Sequence, residues 1–71
     1  MAETIREEKE VSRIFWPGED GGSLTANSHQ KLLYRRIFFG DHEECWVLVF
    51  NAAGKETIRH NVRFLESVEW K

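Results

Sequence analysis

The segment from Cys45 to Phe50 (CWVLVF) is the feature that most constrains how this chain can fold. Its short length and its β-branched and aromatic residues are typical of a β-strand, and the turn-forming residues 51–54 (NAAG) end it. Side chains along a strand point alternately to its two faces. One face therefore carries Cys45, Val47 and Val49, and the other carries Trp46, Leu48 and Phe50.

Both faces of this predicted strand are apolar, whereas a half-exposed antiparallel strand alternates apolar with polar residues. One face fits the interior of a small barrel or sheet. The other needs cover from residues 1–10, from residues 17–28, from a helix at 28–39, or from a protein partner. If nothing covered this face, it would form an apolar patch on the order of several hundred Å². Soluble monomers avoid such patches outside binding sites.

The length of the chain, 71 residues, is enough for one domain only. Domains this small have marginal stability, which is often raised by disulfides, a metal or oligomerisation. Cys45 is the only cysteine, so no internal disulfide can form, and a reducing compartment is favoured. Three Trp, one Tyr and five Phe residues provide a dense aromatic core.

The two ends of the chain differ in composition. Residues 1–10 are charged and carry only one large apolar residue after Met1, so we expect a charged lead-in there. We expect residues 11–71 to form a single β domain. Within it, residues 17–28 are polar and rich in glycine and serine, which predicts a long mobile loop.

Turn residues divide the remainder of the domain into short strands. Residues 10–16 (EVSRIFW) have strand composition and stop at Pro17-Gly18. After residues 51–54, residues 55–59 can return as an antiparallel strand, and residues 64–70 complete the pattern.

Residues 31–39 (KLLYRRIFF) fit two structures. As a helix, they would have Ser28 as the N-cap and Gly40 just past the last turn. As a strand, they would continue through a hairpin at Gly40-Asp41 into the strand at Cys45, and this is the structure we predict.

The fold predicted from these elements is all-β: a small five-stranded antiparallel, partly open barrel or sheet, SH3-like or Sm-like in strand count. The alternative is an α+β fold with one helix at 28–39 on a three-stranded sheet.

The charges exclude some classes of function. The net charge is −2 and residues 1–10 supply all of it, so no broad attraction to nucleic acid or anionic membranes is expected. No apolar run approaches the roughly 20 residues of a membrane span, and the N-terminal sequence lacks the pattern of a secretory signal. We expect a soluble, cytoplasmic protein.

No arrangement of residues predicts catalysis, a metal or a cofactor. His42 and Cys45 are three residues apart, but a structural zinc site shows paired ligands. Cys45 begins an apolar strand, where a thiol is usually a small buried hydrophobe. Glu43 and Glu44 are consecutive, so in a strand they point to opposite faces. We therefore expect a protein that is not an enzyme and holds no metal or cofactor.

The function that these features favour is binding of a protein partner or of a second copy of the chain. The apolar face of the strand would be buried, and flanking charges would orient the partner, since aromatic residues and Arg are enriched at interface centres. The predicted partner-binding residues are Trp46, Leu48, Phe50, Arg35, Arg36, Asp41, Glu43 and Glu44.

The alternative is binding of single-stranded nucleic acid. Small barrels bind single strands through aromatic platforms flanked by basic residues. The residues that would form such a platform are Tyr34, Arg35, Arg36 and Phe38.

Overall fold

Six antiparallel strands account for most of the described chain. The computed structural model describes residues 3–71, with Glu3 described by its backbone alone. A short 3₁₀ helix, Val62–Phe64, precedes the last strand. The strands are β1 (Glu3–Phe15), β2 (Ser23–Thr25), β3 (Gln30–Phe39), β4 (His42–Asn51), β5 (Glu56–Asn61) and β6 (Ser67–Trp70).

The strands form one sheet, which confirms the predicted all-β fold. The sheet curls through 211° as a half-barrel. β3 pairs with β1 on one edge and with β4 on the other, and β5 pairs with the far edge of β4. β6 returns to pair with β1, so the first and last described strands are neighbours.

The helix considered for residues 28–39 is wrong, because residues 30–39 form β3. Every residue of β3 pairs with a residue of β4, from Gln30 opposite Asn51 to Phe39 opposite His42. The predicted hairpin at Gly40-Asp41 makes this pairing possible. Gly40 has a φ of 65°, a left-handed conformation that two-residue hairpin turns require and that glycine adopts without strain.

β1 begins earlier than the sequence predicts. Residues 3–10 were expected to be a charged lead-in, but they form the first part of a strand paired with β3, and residues 1 and 2 lie outside the described residues. Charged residues can form this part of the strand because they face charges of opposite sign on β3. Glu7 lies opposite Arg36 and Glu8 lies opposite Arg35.

The predicted loop 17–28 contains a strand of its own. β2 pairs with the end of β1, with Ile14 opposite Leu24. Val11 pairs with both β3 and β6, so β2 and β3 lie in tandem along one edge of β1 while β6 occupies the other.

The inner surface of the curled sheet, here called the concave face, holds the main core. Trp16, Leu24, Tyr34, Val62, Leu65 and Val68 are partly buried and pack around it. Its fully buried residues are Val11, Ile14, Leu32, Val47 and Val49.

Two further buried residues lie outside that cluster. Ile37 is 1% exposed and Leu48 is 0% exposed. Because side chains alternate, they point to the opposite surface of the sheet, here called the convex face. All six strands belong to one sheet, so within residues 3–71 no second sheet packs on this face.

Candidate functional site

The convex face brings together the apolar residues that the sequence predicted for one side of the CWVLVF strand. On β3, Leu33 lies opposite Leu48, and Arg35 lies opposite Trp46. Phe50 follows Leu48 by two residues and shares its face. The three predicted residues of β4 therefore do form one surface with Arg35.

Leu48 is completely buried although it faces away from the main core. Its neighbours along β4 are Trp46 and Phe50, and its cross-strand neighbours are Leu33 and Arg59. Each of these four side chains is at least as large as that of leucine. Arg59 ends in a guanidinium and Trp46 carries an indole. Leu48 is therefore the centre of a small cluster of side chains that share its face.

Arg35 covers one side of this cluster. Its guanidinium carbon lies 5.6 Å from the centre of the Phe50 ring, within the range of a cation–π interaction. The guanidinium also forms an ion pair with Glu8 on β1. The side chain of Arg35 is 24% exposed, so it lies along the sheet rather than extending into solvent.

Arg59 covers the other side of the cluster. Its guanidinium carbon lies 5.9 Å from the centre of a Trp46 ring. Its Nε donates to Glu56 Oε2 at 3.1 Å and its Nη2 donates to Glu56 Oε1 at 3.0 Å. This bidentate geometry fixes the plane of the guanidinium. Leu48 thus lies between two arginine–aromatic pairs, each held by a carboxylate.

The indole of Trp46 has an unfilled hydrogen-bonding capacity. Its Nε1 is buried and finds no acceptor among residues 3–71. Buried polar groups nearly always have a partner, so an unpaired indole N–H under an aromatic–arginine surface marks this position as unusual.

A cleft of about 680 Å³ opens at the Phe50 end of the convex face. Leu33 and Phe50 line its apolar part, and the turns at 26–30 and 51–54 form its sides. Its charged lining consists of Glu10, Lys31, Arg35 and Lys71. Glu10 lies 3.7 Å from the Lys31 ammonium and 3.4 Å from that of Lys71, so the one carboxylate is shared by two cations.

The predicted charged residues do not all join this surface. Arg36 and Glu43 lie on the concave side, 3.8 Å apart. Asp41 is in the exposed hairpin turn beside His42. Glu44 lies opposite Ile37 on the convex face and 3.7 Å from Arg63. Three of the predicted charged residues, Arg36, Glu43 and Glu44, therefore have partners of opposite charge within the chain.

Sequence reasoning missed Arg59, Glu8 and Glu56. Arg59 shares a face with Leu48 only because the pairing of β4 with β5 slips by one residue between Val49 and Phe50. Alternation within β4 gives no sign of such an irregularity. Glu8 could have been found from the sequence only if residues 3–10 had been assigned to a strand.

The four residues of the predicted nucleic-acid platform are divided between the two faces. Tyr34, Arg36 and Phe38 lie on the concave side, and Arg35 lies on the convex side. The structure adds Trp70, whose ring meets Tyr34 edge-on at 5.1 Å between centres. Lys9 lies 5.5 Å from the Trp70 ring, and the Arg6 guanidinium lies 4.8 Å from the Phe38 ring.

The Tyr34 hydroxyl donates a hydrogen bond to the Sγ of Cys45 at 3.2 Å. This bond favours the protonated phenol and, with partial burial, raises the pKa of Tyr34 to about 12. Cys45 is half-buried next to the concave core, and its sulfur acts here as an acceptor.

His42, three residues before Cys45, points to the convex face, whereas Cys45 points to the concave face. His42 stacks on Phe39 at 5.7 Å between ring centres, and His60 meets Trp16 edge-on at 5.0 Å. Within the described part of the chain, no three His, Cys, Asp or Glu side chains are arranged to hold a metal ion.

Comparison with protein-family models, curated proteins and solved structures finds no match to this chain. Among residues 3–71, no helix has the length and hydropathy needed to cross a membrane. The candidate site therefore has to be interpreted from its own geometry.

Proposed function

We propose that this protein is a non-enzymatic protein-binding module or assembly subunit that docks on a partner through the convex face. The observation that carries the proposal is the fully buried Leu48 on a face against which no second sheet packs within residues 3–71. Two arginine–aromatic pairs, Arg35 with Phe50 and Arg59 with Trp46, flank it. A face of this kind keeps apolar area close to the surface while its charged edges keep the free chain soluble.

The composition of the face fits the centre of a protein interface. Trp and Arg are the residues that most often dominate interface energetics, and they do so when surrounded by contacts that exclude water. Here Arg35 and Arg59 are pre-oriented by Glu8 and Glu56, so little side-chain entropy is lost when a partner binds.

The groups exposed on the convex face also indicate what kind of surface a partner would present. An apolar side chain of the partner would enter the cleft beside Leu33 and Phe50. A carbonyl or carboxylate of the partner would complete the hydrogen bonding of the Trp46 Nε1. The partner surface is therefore apolar at its centre, with acceptor groups around it.

A matched pair of serine substitutions tests the proposal. Phe50→Ser removes a ring from the convex face, and Phe64→Ser removes an equally apolar, 67% exposed ring from the 3₁₀ helix. Wild type and both variants would be immobilised and exposed to a native extract, and the proteins that each retains would be compared. We expect Phe50→Ser to lose the proteins that wild type binds, and Phe64→Ser to keep them.

Circular dichroism separates loss of binding from loss of structure, because both variants should retain the β spectrum of wild type. Equal binding by wild type and Phe50→Ser would overturn the proposal. So would loss of binding by both variants alike, since the convex face would then have no special role.

A second function, binding of single-stranded nucleic acid, is favoured by the concave aromatic cluster, defined as Tyr34, Phe38 and Trp70. Each of its outer rings carries a cation, Arg6 at Phe38 and Lys9 at Trp70, and Trp70 is 52% exposed. Bases stack on such rings while cations meet the phosphates. Glu7 and Glu43 lie beside Arg36 and oppose this role.

Fluorescence anisotropy of a labelled single-stranded oligonucleotide distinguishes the two functions. Binding through the concave aromatic cluster would weaken steeply with salt and would be lost in Trp70→Ala but kept in Phe50→Ser. No binding at low salt would exclude this second function.

A further inference from the structure

The first part of β1 is hydrogen-bonded along one edge only. On that edge it pairs with β3 over residues 3–11. On the other edge, β6 begins at the Val11–Trp70 pair, and the Lys71 N–H adds a bond to the Glu10 carbonyl at 3.2 Å. Within residues 3–71, no strand pairs with that second edge before Glu10.

The free edge has a defined length and direction. A register slip between Ile5 and Glu7 leaves Arg6 as an extra residue, which interrupts the regular strand. The regular free stretch is therefore Glu7 to Lys9, because the Glu10 carbonyl is already bonded to Lys71. The Glu10 carbonyl points to this edge, since it accepts from Lys71, and the period of two along a strand points the N–H and C=O of Glu8 the same way.

We propose that this edge pairs with the same edge of a second copy of the chain, antiparallel and with the two-fold axis at Glu8. In an antiparallel two-stranded pair, a residue on the axis lies opposite its own copy. Glu8 would then exchange two backbone hydrogen bonds with Glu8 of the second copy, as its outward-facing N–H and C=O allow.

The charges select this register over its neighbours. With the axis at Glu8, Glu7 lies opposite Lys9 of the second copy, and Lys9 lies opposite Glu7, giving two complementary pairs. With the axis at Lys9, lysine would face lysine and Glu8 would face Glu10. With the axis at Glu7, glutamate would face glutamate and the irregular Arg6 would fall inside the pairing.

The side-chain directions are consistent with this pairing. Glu7 lies opposite Arg36 and Lys9 lies opposite Tyr34, so both point to the concave side and can meet across the axis. Glu8 points to the convex side, where Arg35 neutralises it and offsets the repulsion between the two central carboxylates. The contact is isologous and therefore closes at two copies.

A charge swap tests the register. Lys9→Glu places glutamate opposite Glu7 twice, and we expect the dimer to dissociate about tenfold more readily in light scattering across a concentration series. Adding Glu7→Lys in the same chain restores both pairs in reversed order, and we expect the dimer to return to within about threefold of wild type. Both variants leave Leu48 and the concave core untouched.

A cross-link tests the position of the axis. In a Cys45→Ser background, Glu8→Cys places two thiols opposite each other, where Cα atoms about 5.5 Å apart allow a disulfide. We expect mild oxidation to give a covalent dimer. The control is Ile58→Cys on β5, the strand at the other side of the sheet, which should give no covalent dimer under the same oxidation.

Three results would overturn the inference. One is a wild-type chain that stays monomeric at every concentration. Another is a dimer that Lys9→Glu leaves unchanged. The third is cross-linking of Ile58→Cys in preference to Glu8→Cys, which would place the contact on β5. The charge swap does not bear on partner binding by the convex face, because Glu7 and Lys9 point to the concave side. Glu8 belongs to both surfaces through its ion pair with Arg35, so Glu8→Cys is used only to locate the axis.

Discussion

Arg35 is paired opposite Trp46, but its guanidinium carbon lies 5.6 Å from the centre of the Phe50 ring. The Leu33–Leu48 pair lies between these two positions on the same face. The arginine is thus both a charge at the surface and a cover for apolar side chains. Its removal would expose the cluster that the convex face otherwise keeps dry.

The first prediction concerns that cover. Arg35→Ala should lower the free energy of unfolding by about 1–2 kcal/mol, because it removes a cation–π contact, the Glu8 ion pair and the packing of the aliphatic stem. Urea denaturation measures the change. The matched variant is Arg63→Ala, because the Arg63 side chain is 66% exposed and lies 3.7 Å from Glu44. It should lower the free energy of unfolding by less than about 0.5 kcal/mol. Equal costs would contradict the proposed role of Arg35.

The second prediction concerns Leu48 itself. Leu48→Ala should cost about 2–5 kcal/mol, the range for truncating a fully buried leucine, although no second sheet packs on its face within residues 3–71. The matched variant Ile58→Ala removes a side chain that is 52% exposed on the neighbouring strand, and it should cost far less. If the two variants unfold at the same urea concentration, Leu48 is not buried in solution.

The third prediction concerns ionisation of Tyr34, the only tyrosine in the chain. Ultraviolet absorption of tyrosinate should show a pKa of about 12 in the folded protein, because the hydroxyl donates to Cys45. Cys45→Ala removes the acceptor, so the pKa should fall toward the ordinary value of about 10.

The same pKa sets a dependence of stability on pH. The folded state holds the phenol proton more tightly than the unfolded state, so the stabilisation is complete below about pH 10 and is lost as the pH rises through about 12. In Cys45→Ala this alkaline loss should be smaller. A tyrosine titration that is the same in both proteins would argue against the Tyr34–Cys45 hydrogen bond.

The fourth prediction concerns the turn after β1. A Cβ built on Gly21 would overlap the carbonyl oxygens of Trp16 and Pro17, and rotation of a side chain cannot relieve an overlap with backbone. Gly21→Ala should therefore destabilise the fold by about 1–3 kcal/mol. Asp20→Ala, at the exposed neighbouring position, should be nearly neutral in the same thermal melt.

Local patterns predicted the strands that have apolar residues and turns at their ends. The CWVLVF segment lies within β4, and its two-sided apolar character reflects a sheet with buried residues on both faces. Residues 3–10 escaped prediction because their strand depends on charges more than about twenty positions away, such as Glu8 with Arg35, 27 positions later. Local composition does not indicate which distant residues will pair with a segment.

The candidate site was predicted in part for the same reason. Alternation alone placed Trp46, Leu48 and Phe50 on one surface, and the structure does so too. Arg59 of β5 shares their face only because the pairing of β4 with β5 shifts by one residue. That shift depends on the whole sheet and not on the sequence of β5 alone. Face assignments fail wherever a bulge changes the period of two.

The pairing of β6 with β1 also has a consequence for synthesis of the chain. Ile14, at the centre of the concave core, lies opposite Val68, more than fifty positions later in the sequence. While a ribosome is still adding the intervening residues, β1 has no neighbour on that edge and the core cannot close. We therefore expect the nascent chain to remain open, and dependent on chaperones for protection, until residues 67–70 have left the exit tunnel.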